Sequence, residues 1–133
     1  MTGHRVVTAP ELARPSGYSH AVVATGNRMV YLAGQTAQLR DGSIGGADLV
    51  EQFDIAATNL IAVLRAAGAG PEHLASLQVF VTDVDEYRAS RVRLRAVWRR
   101  HFGDFYPAMA LLGVRELFDP AARVELMGVA VVP

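Results

Sequence analysis

The chain has 133 residues, 51% of them apolar and 20% charged, with 13 basic groups balancing 13 acidic ones. That is the make-up of one ordinary globular domain, able to bury roughly 68% of its extended-chain surface; it excludes disorder, collagen-like repeats and the excess of positive charge on which sequence-independent nucleic-acid binding depends. Every basic residue is Arg and Cys is absent, so Schiff-base lysines, thiol nucleophiles, disulfides and thiolate metal sites are unavailable.

Residues 1–133 read as a single domain, with no repeat, linker or low-complexity tract. Strands are predicted over 6–9, 21–25 and 29–34, the last two joined by Gly26-Asn27, a pair that tolerates positive φ and suits a tight hairpin. Asp48 followed by Glu51 reads as an acidic capping box opening a helix over 48–67. At about 100° per residue, Leu49, Phe53, Ala56, Leu60, Val63, Leu64 and Ala67 share one arc of that helix. Gly68, Gly70 and Pro71 end it. A strand over 77–81 follows, and Asp83 with Glu86 repeats the capping pattern ahead of a second helix over 85–102. Tyr87, Leu94, Val97, Trp98 and His101 share its apolar arc, beside a stripe of Arg88, Arg91, Arg95 and Arg99. Arg91 lies only about 20° from Trp98 on the helical wheel, at the border of the buried face. Strands over 108–114 and 124–132 close the chain. The order β-β-β-α-β-α-β-β predicts an α+β fold, with a mixed six-stranded sheet and two helices packed on one face.

The last strand turns Val124, Leu126, Ala130 and Val132 one way and Met127, Val129 and Val131 the other, so both its faces are apolar. Two helices cover only one of them. The other face calls for another copy of the chain, or for a sheet that closes on itself as a small barrel. Glu125 falls on that second face, where a charge is costly unless it is paired, sits at a cleft rim or is protonated. Such a carboxyl suits acid–base chemistry; the plainer alternative is a strand-end carboxylate in water or paired with Arg123 or Arg115. His4, His20, His73 and His101 show no ligand spacing, and no Gly-rich phosphate loop precedes a helix, so neither metal nor other cofactor is expected. Asp83, Asp85 and Glu86 lack the later ligands of a calcium loop and read as helix capping. The first ten residues hold no apolar stretch of signal-peptide length, and no uncharged run, 105–114 included, reaches the ~20 residues a membrane helix needs. A soluble, cytoplasmic protein without a membrane partner is expected.

Six pieces of sequence give a more specific reading: Gly17-Tyr18-Ser19-His20-Ala21, Tyr31-Leu32-Ala33-Gly34-Gln35, the helix from Asn59-Leu60 to Ala66-Ala67-Gly68, Val79-Phe80-Val81-Thr82-Asp83, Tyr106-Pro107-Ala108 and Val124-Glu125-Leu126. In this order, over nearly the whole chain, they resemble the RidA/YjgF family. The resemblance implies a chorismate-mutase-like fold, a homotrimer with clefts between its subunits and, in active members, hydrolysis of reactive enamines and imines to a carbonyl compound and ammonia. By the same resemblance Glu125 matches the glutamate that holds and activates the attacking water. Tyr18 matches the cleft tyrosine whose hydroxyl meets the ligand, and Gly34, with Gln35 beside it, the glycine whose backbone polar groups face the ligand.

One departure bears on substrate. After Pro-Ala the deaminating branch carries an arginine that forks onto the substrate carboxylate, a geometry no neutral side chain reproduces; here Met109 follows Pro107-Ala108. Leu111 stands where many members have a cysteine, and Arg91 where many have an asparagine; there Arg91 either returns a cation to the cleft by another wall or belongs, like the rest of the arginine stripe, to a solvated cationic face. The resemblance therefore implies a hydrolase for a small imine that lacks, or differently places, the carboxylate, with Arg91, Met109 and Leu111 among the residues that meet it. A non-catalytic trimer binding a small molecule in the same cleft is the first alternative. An endoribonuclease, after the family's historical label, is the second; neutral charge and the lack of aromatic stacking motifs count against nucleic acid as a partner.

Overall fold

A computed structural model describes residues 3–133. Its elements are β1 (Arg5–Val7), β2 (Ala21–Val23), β3 (Arg28–Gln35), α1 (Leu49–Ala66), a 3-10 turn (Pro71–His73), β4 (Leu74–Val81), α2 (Val84–Ala89), α3 (Arg91–Phe102), β5 (Ala108–Gly113) and β6 (Val124–Val132). Strands β3, β6, β4 and β5 form one sheet in that order, with β4 and β5 parallel and the other pairs antiparallel. Helix α1 packs on β3 and β6 and against α3, so the α+β class and the mixed sheet stand as expected.

Helix α1 begins where its cap dictates. Asp48 Oδ1 accepts from the Glu51 N–H at 2.9 Å, and Glu51 reaches back to the Ala47 N–H at 2.6 Å, satisfying donors that the first turn leaves without partners. It ends in a Schellman arrangement, with the Gly68 N–H bonded to Arg65 O at 3.0 Å and the Ala69 N–H to Leu64 O at 2.8 Å. Gly68 adopts φ +78° there, a conformation open to glycine without a side-chain penalty.

Four details differ from the sequence expectation. The six strands divide into a two-stranded ribbon, β1 with β2, and the four-stranded sheet. Gly26-Asn27 is consequently a corner rather than a hairpin: β2 pairs with β1, β3 pairs with β6, and the Asn27 N–H closes onto Val132 O at 3.1 Å. Glycine is needed at that corner because a Cβ at position 26 would sit 2.5 Å from Val132 O. The expected second helix is two, α2 and α3, divided at Ser90, whose backbone leaves helical geometry at φ −102°, ψ 9°. Lastly, Val63 and Ala67 are exposed, while Val50, Ala57, Ile61 and the amide of Gln52 are buried in their place. The helix therefore lies on the sheet rotated towards its 50/57/61 side.

The core lies between the helices and the sheet: Leu74, Leu77, Val79, Val81, Val124, Leu126 and Ala130 on the strands are sealed from solvent by α1 and α3. No element among the described residues covers the reverse face. There Tyr31 is 74% exposed, Met29 56%, and Met127 and Leu112 41% each.

Candidate functional site

The start of β5 is fastened to the segment that precedes β2. Ser19 donates through Oγ to Tyr106 O at 2.5 Å and through its N–H to Pro107 O at 3.0 Å, and it bridges in parallel to Ala108. Gly17, at φ +76°, makes the turn that leaves Tyr18 half exposed beside β5, its ring edge-on to His20 at 5.5 Å. Directly opposite strand residues share a face. Met109 and Leu111 on β5 lie opposite Leu77 and Val79 of β4, so both turn towards the helices.

A cavity of about 270 Å³ opens at that place, between β5, the Tyr18 turn and the helices α2 and α3. Its walls are Val79, Met109 and Leu111 from the sheet and Tyr87, Trp98 and Tyr106 from the helical side. The aromatic wall is built rigidly. Trp98 stacks on Tyr106 at 5.2 Å with the rings 5° from parallel and on Phe102 at 4.1 Å, and its indole N–H is fixed to Phe105 O at 3.1 Å. Burial, and secondly the neighbouring Tyr106 hydroxyl, push the Tyr87 hydroxyl above its ordinary pKa, so it stays a neutral hydrogen-bonding group at physiological pH. Arg91 and Arg95 reach the cavity from α3, and no carboxylate among the described residues lines it. The volume lies near the lower end of ligand pockets, ~300 to 1,000 Å³, and suits one small molecule.

Glu125 is elsewhere. It lies opposite Phe80 on β4, which in turn lies opposite Leu112 on β5, and all three point to the bare face. Its carboxylate rests over Gly34, at the bulge of β3, so closely that a methyl group added there would overlap it. The half-buried Glu125 has no hydrogen bond or ion pair among the described residues. Arg123, a candidate partner from the sequence, is engaged by Glu86 at 3.0 Å instead. Gln35 is half-buried at the same strand end, its amide donating to Ala33 O at 3.3 Å. The expected site residues thus fall in two groups within one chain. Tyr18, Arg91, Met109 and Leu111 share the cavity, while Glu125 and Gly34 meet on the bare face on the far side of the sheet and Gln35, opposite Leu126, falls on the helix side past the bulge.

Sequence reasoning passed over Arg95 and the aromatic wall. Arg95 has a signal, its i+4 spacing from Arg91, but Tyr106 enters the site through a stack that only the fold reveals. A second, more polar depression of about 630 Å³ lies between residues 44–52 and 115–123. Its polar groups already serve structure: Glu86 holds Arg123 and the Leu49 N–H, Gln52 holds Ala121 O and the Arg123 N–H, and Asp83 caps α2. No group of three or more His, Cys, Asp or Glu side chains among the described residues is placed to hold a metal ion. No helix among them is long and apolar enough to cross a membrane.

Comparison with known proteins follows the same outline. A family model described as Endoribonuclease L-PSP matches residues 8–132. A 2-iminobutanoate/2-iminopropanoate deaminase of Dermatophagoides farinae is 28% identical over 133 residues, covering 99% of both chains. The protein of that name from Capra hircus is 28% identical over 127 residues, covering 95% of this chain and 88% of its own. Among solved structures, a Rid-family protein of unknown function from Yersinia pestis superposes with a TM-score of 0.85 at 31% identity, over 97% of this chain and 98% of that one.

Proposed function

Because the chain belongs to the RidA/YjgF family, also described as endoribonuclease L-PSP, we propose that it is an imine/enamine deaminase working in a cleft between copies of itself. The observation that carries this reading is Glu125, a half-buried carboxylate with no hydrogen bond or ion pair among the described residues, on a largely apolar, exposed sheet face. A carboxylate left so is suited to hold a water molecule and to take its proton. Oxygen then adds to the C=N carbon, giving a carbinolamine. Its collapse restores a C=O bond, breaks the C–N bond and returns the proton to nitrogen, which leaves as ammonia.

In one chain Glu125 and the cavity lie on opposite faces of the sheet, so the proposed site is complete only when a second copy sets its bare face beside this cavity. A cyclic homotrimer achieves that for every copy at once, buries Met29, Tyr31, Met127 and Leu112, and leaves each site with one base. Tyr18 and the Gly34–Gln35 backbone then supply polar contacts to the reacting group. Met109 offers no charge to a carboxylate beside the C=N carbon. Imines of the 2-iminopropanoate type, on which the named relatives act, are therefore expected to be poor substrates, and imines that lack or differently place the carboxylate better ones.

The experiment is ammonia release from imines generated in situ by an amine oxidase, compared for wild type and Glu125→Gln. The substitution keeps size and hydrogen bonding but removes the base, so turnover should fall by about 100-fold or more while the assembly persists. Equal turnover in the two proteins would leave Glu125 structural. Binding without any ammonia release in wild type would favour the non-catalytic alternative.

A further inference from the structure

Helices α2 and α3 carry six arginines, and four of them are neutralised in place: Arg88 by Asp85 at 2.9 Å, Arg93 by Asp48 at 3.3 Å, Arg99 by Asp104 at 3.5 Å and Arg100 by Asp54 at 2.6 Å. The other two, Arg91 and Arg95, have no ion pair among the described residues, and they are the two that line the cavity. They stand one turn apart on one side of α3, where like charges repel each other. No acidic side chain among the described residues lines the cavity to offset them. Pairing is thus complete on this helical surface except where the surface becomes cavity wall. An excess of positive charge over apolar and aromatic walls selects an organic anion.

We propose that Arg91 and Arg95 form the carboxylate-binding wall of the cavity, and that its ligand is a small aromatic or apolar molecule whose carboxylate sits at the α3 end, separated from the reacting carbon by the apolar part that meets Trp98 and Tyr106. This deepens the deaminase reading above and rests on it for the identity of the reacting group. Guanidinium forks present paired N–H donors to the two oxygens of a carboxylate. Planar, apolar ligand surface is matched by the Trp98–Tyr106 stack, whose rings lie 5° from parallel. Met109 and Leu111 complete an uncharged floor, so within this cavity the anion is directed to α3.

Trp98 is the chain's single tryptophan and lines the cavity, so its fluorescence reports occupancy without turnover. The full-length protein is titrated with 3-phenylpropionate, with its uncharged isostere 3-phenylpropanamide and with phenyl phosphate. Wild type should bind the carboxylate at least about 10-fold more tightly than the amide, the margin of a charge-assisted hydrogen bond. Arg91→Gln with Arg95→Gln should abolish that margin by weakening the acid far more than the amide. Arg88→Gln, which removes a stripe arginine outside the cavity, should leave the margin intact and controls for net charge. Equal affinity for acid and amide, or a margin that survives in the double variant, overturns the proposal. Tighter binding of phenyl phosphate than of the acid overturns the carboxylate assignment. The deaminase reading fails separately, by absence of ammonia release from any imine, and such a protein showing the acid preference would still carry this site.

Discussion

The two faces of the four-stranded sheet are built from the same strands and have opposite fates. On one, Leu77, Val79, Val124 and Leu126 are sealed by α1 and α3; on the other, Tyr31, Met29, Met127 and Leu112 stand open around Glu125. The contrast separates two jobs. The helix-covered face carries the stability of the chain and, at its β5 edge, the cavity. The open face carries a carboxylate with no partner among the described residues and apolar surface of the kind that marks an interface, which the proposed function closes with another copy.

The largest effect expected from breaking this division is on stability. Leu77→Ala empties a fully enclosed core position and should cost ~2–5 kcal/mol in chemical denaturation, from lost transfer free energy and the cavity left behind. Met127→Ala, on the open face of the same sheet, should change the unfolding free energy of dilute, dissociated chains by no more than about 0.5 kcal/mol. It should instead weaken association, as read by light scattering against dilution. Similar costs for the two substitutions would erase the distinction between the faces.

A second effect sharpens the cavity's half of the comparison. Met109→Arg adds a guanidinium to the uncharged floor and should improve turnover of 2-iminopropanoate-type imines by roughly 10- to 150-fold, the equivalent of ~1.5–3 kcal/mol for a charge-assisted bond. Assay of wild type and variant on one α-carboxylated and one uncharged imine tests it. No gain on the α-carboxylated imine would remove position 109 from the substrate contacts.

The smallest effect concerns how the helical cover is held. Asp54 on α1 accepts from Arg100 and pairs with His101 of α3, at 2.6 Å each. Burial, the largest single influence, raises its pKa, but hydrogen bonds from His101 and Arg100 and their charges together outweigh it and hold the carboxyl below its ordinary value of 3.8. A pKa lowered by folding means stability that is present above the ordinary value and lost as pH falls through the folded one. Asp54→Asn should therefore flatten the acid limb of the stability profile below about pH 4 and make a minor difference near neutrality, the group being partly solvated. An unchanged acid limb would show that this link does not help hold α1 against α3.

Much of this division was legible in the sequence, where its cause is local. Asp48, Glu51 and Gly68 delimit α1 because caps act within a turn, and the alternation from Val124 to Val132 places Glu125 on the correct face because strand periodicity is local too. Pairing is not. Gly26-Asn27 has the composition of a hairpin, yet β3 finds its partner in β6, about a hundred residues away, and β2 finds β1. The break at Ser90 left no trace in a pattern that continues across it. Of the cavity, Arg91 was visible from its helical phase beside Trp98, whereas Arg95, one member of the arginine stripe, is set apart only by the ion pairs of its neighbours.

The central claim is that base and cavity of each site come from different copies of the chain, and co-expression of two defective variants tests it directly. Glu125→Gln keeps the cavity and lacks the base; Leu111→Trp fills the cavity and keeps the base. Each alone should be nearly inactive. If sites form between copies, randomly mixed trimers place an intact cavity beside an intact Glu125 in about a quarter of their sites, so ammonia release should recover to about a quarter of the wild-type rate. Mixed assemblies of the same mass with no activity above that of the separate variants would mean that both halves of the site belong to one chain, and would contradict the account.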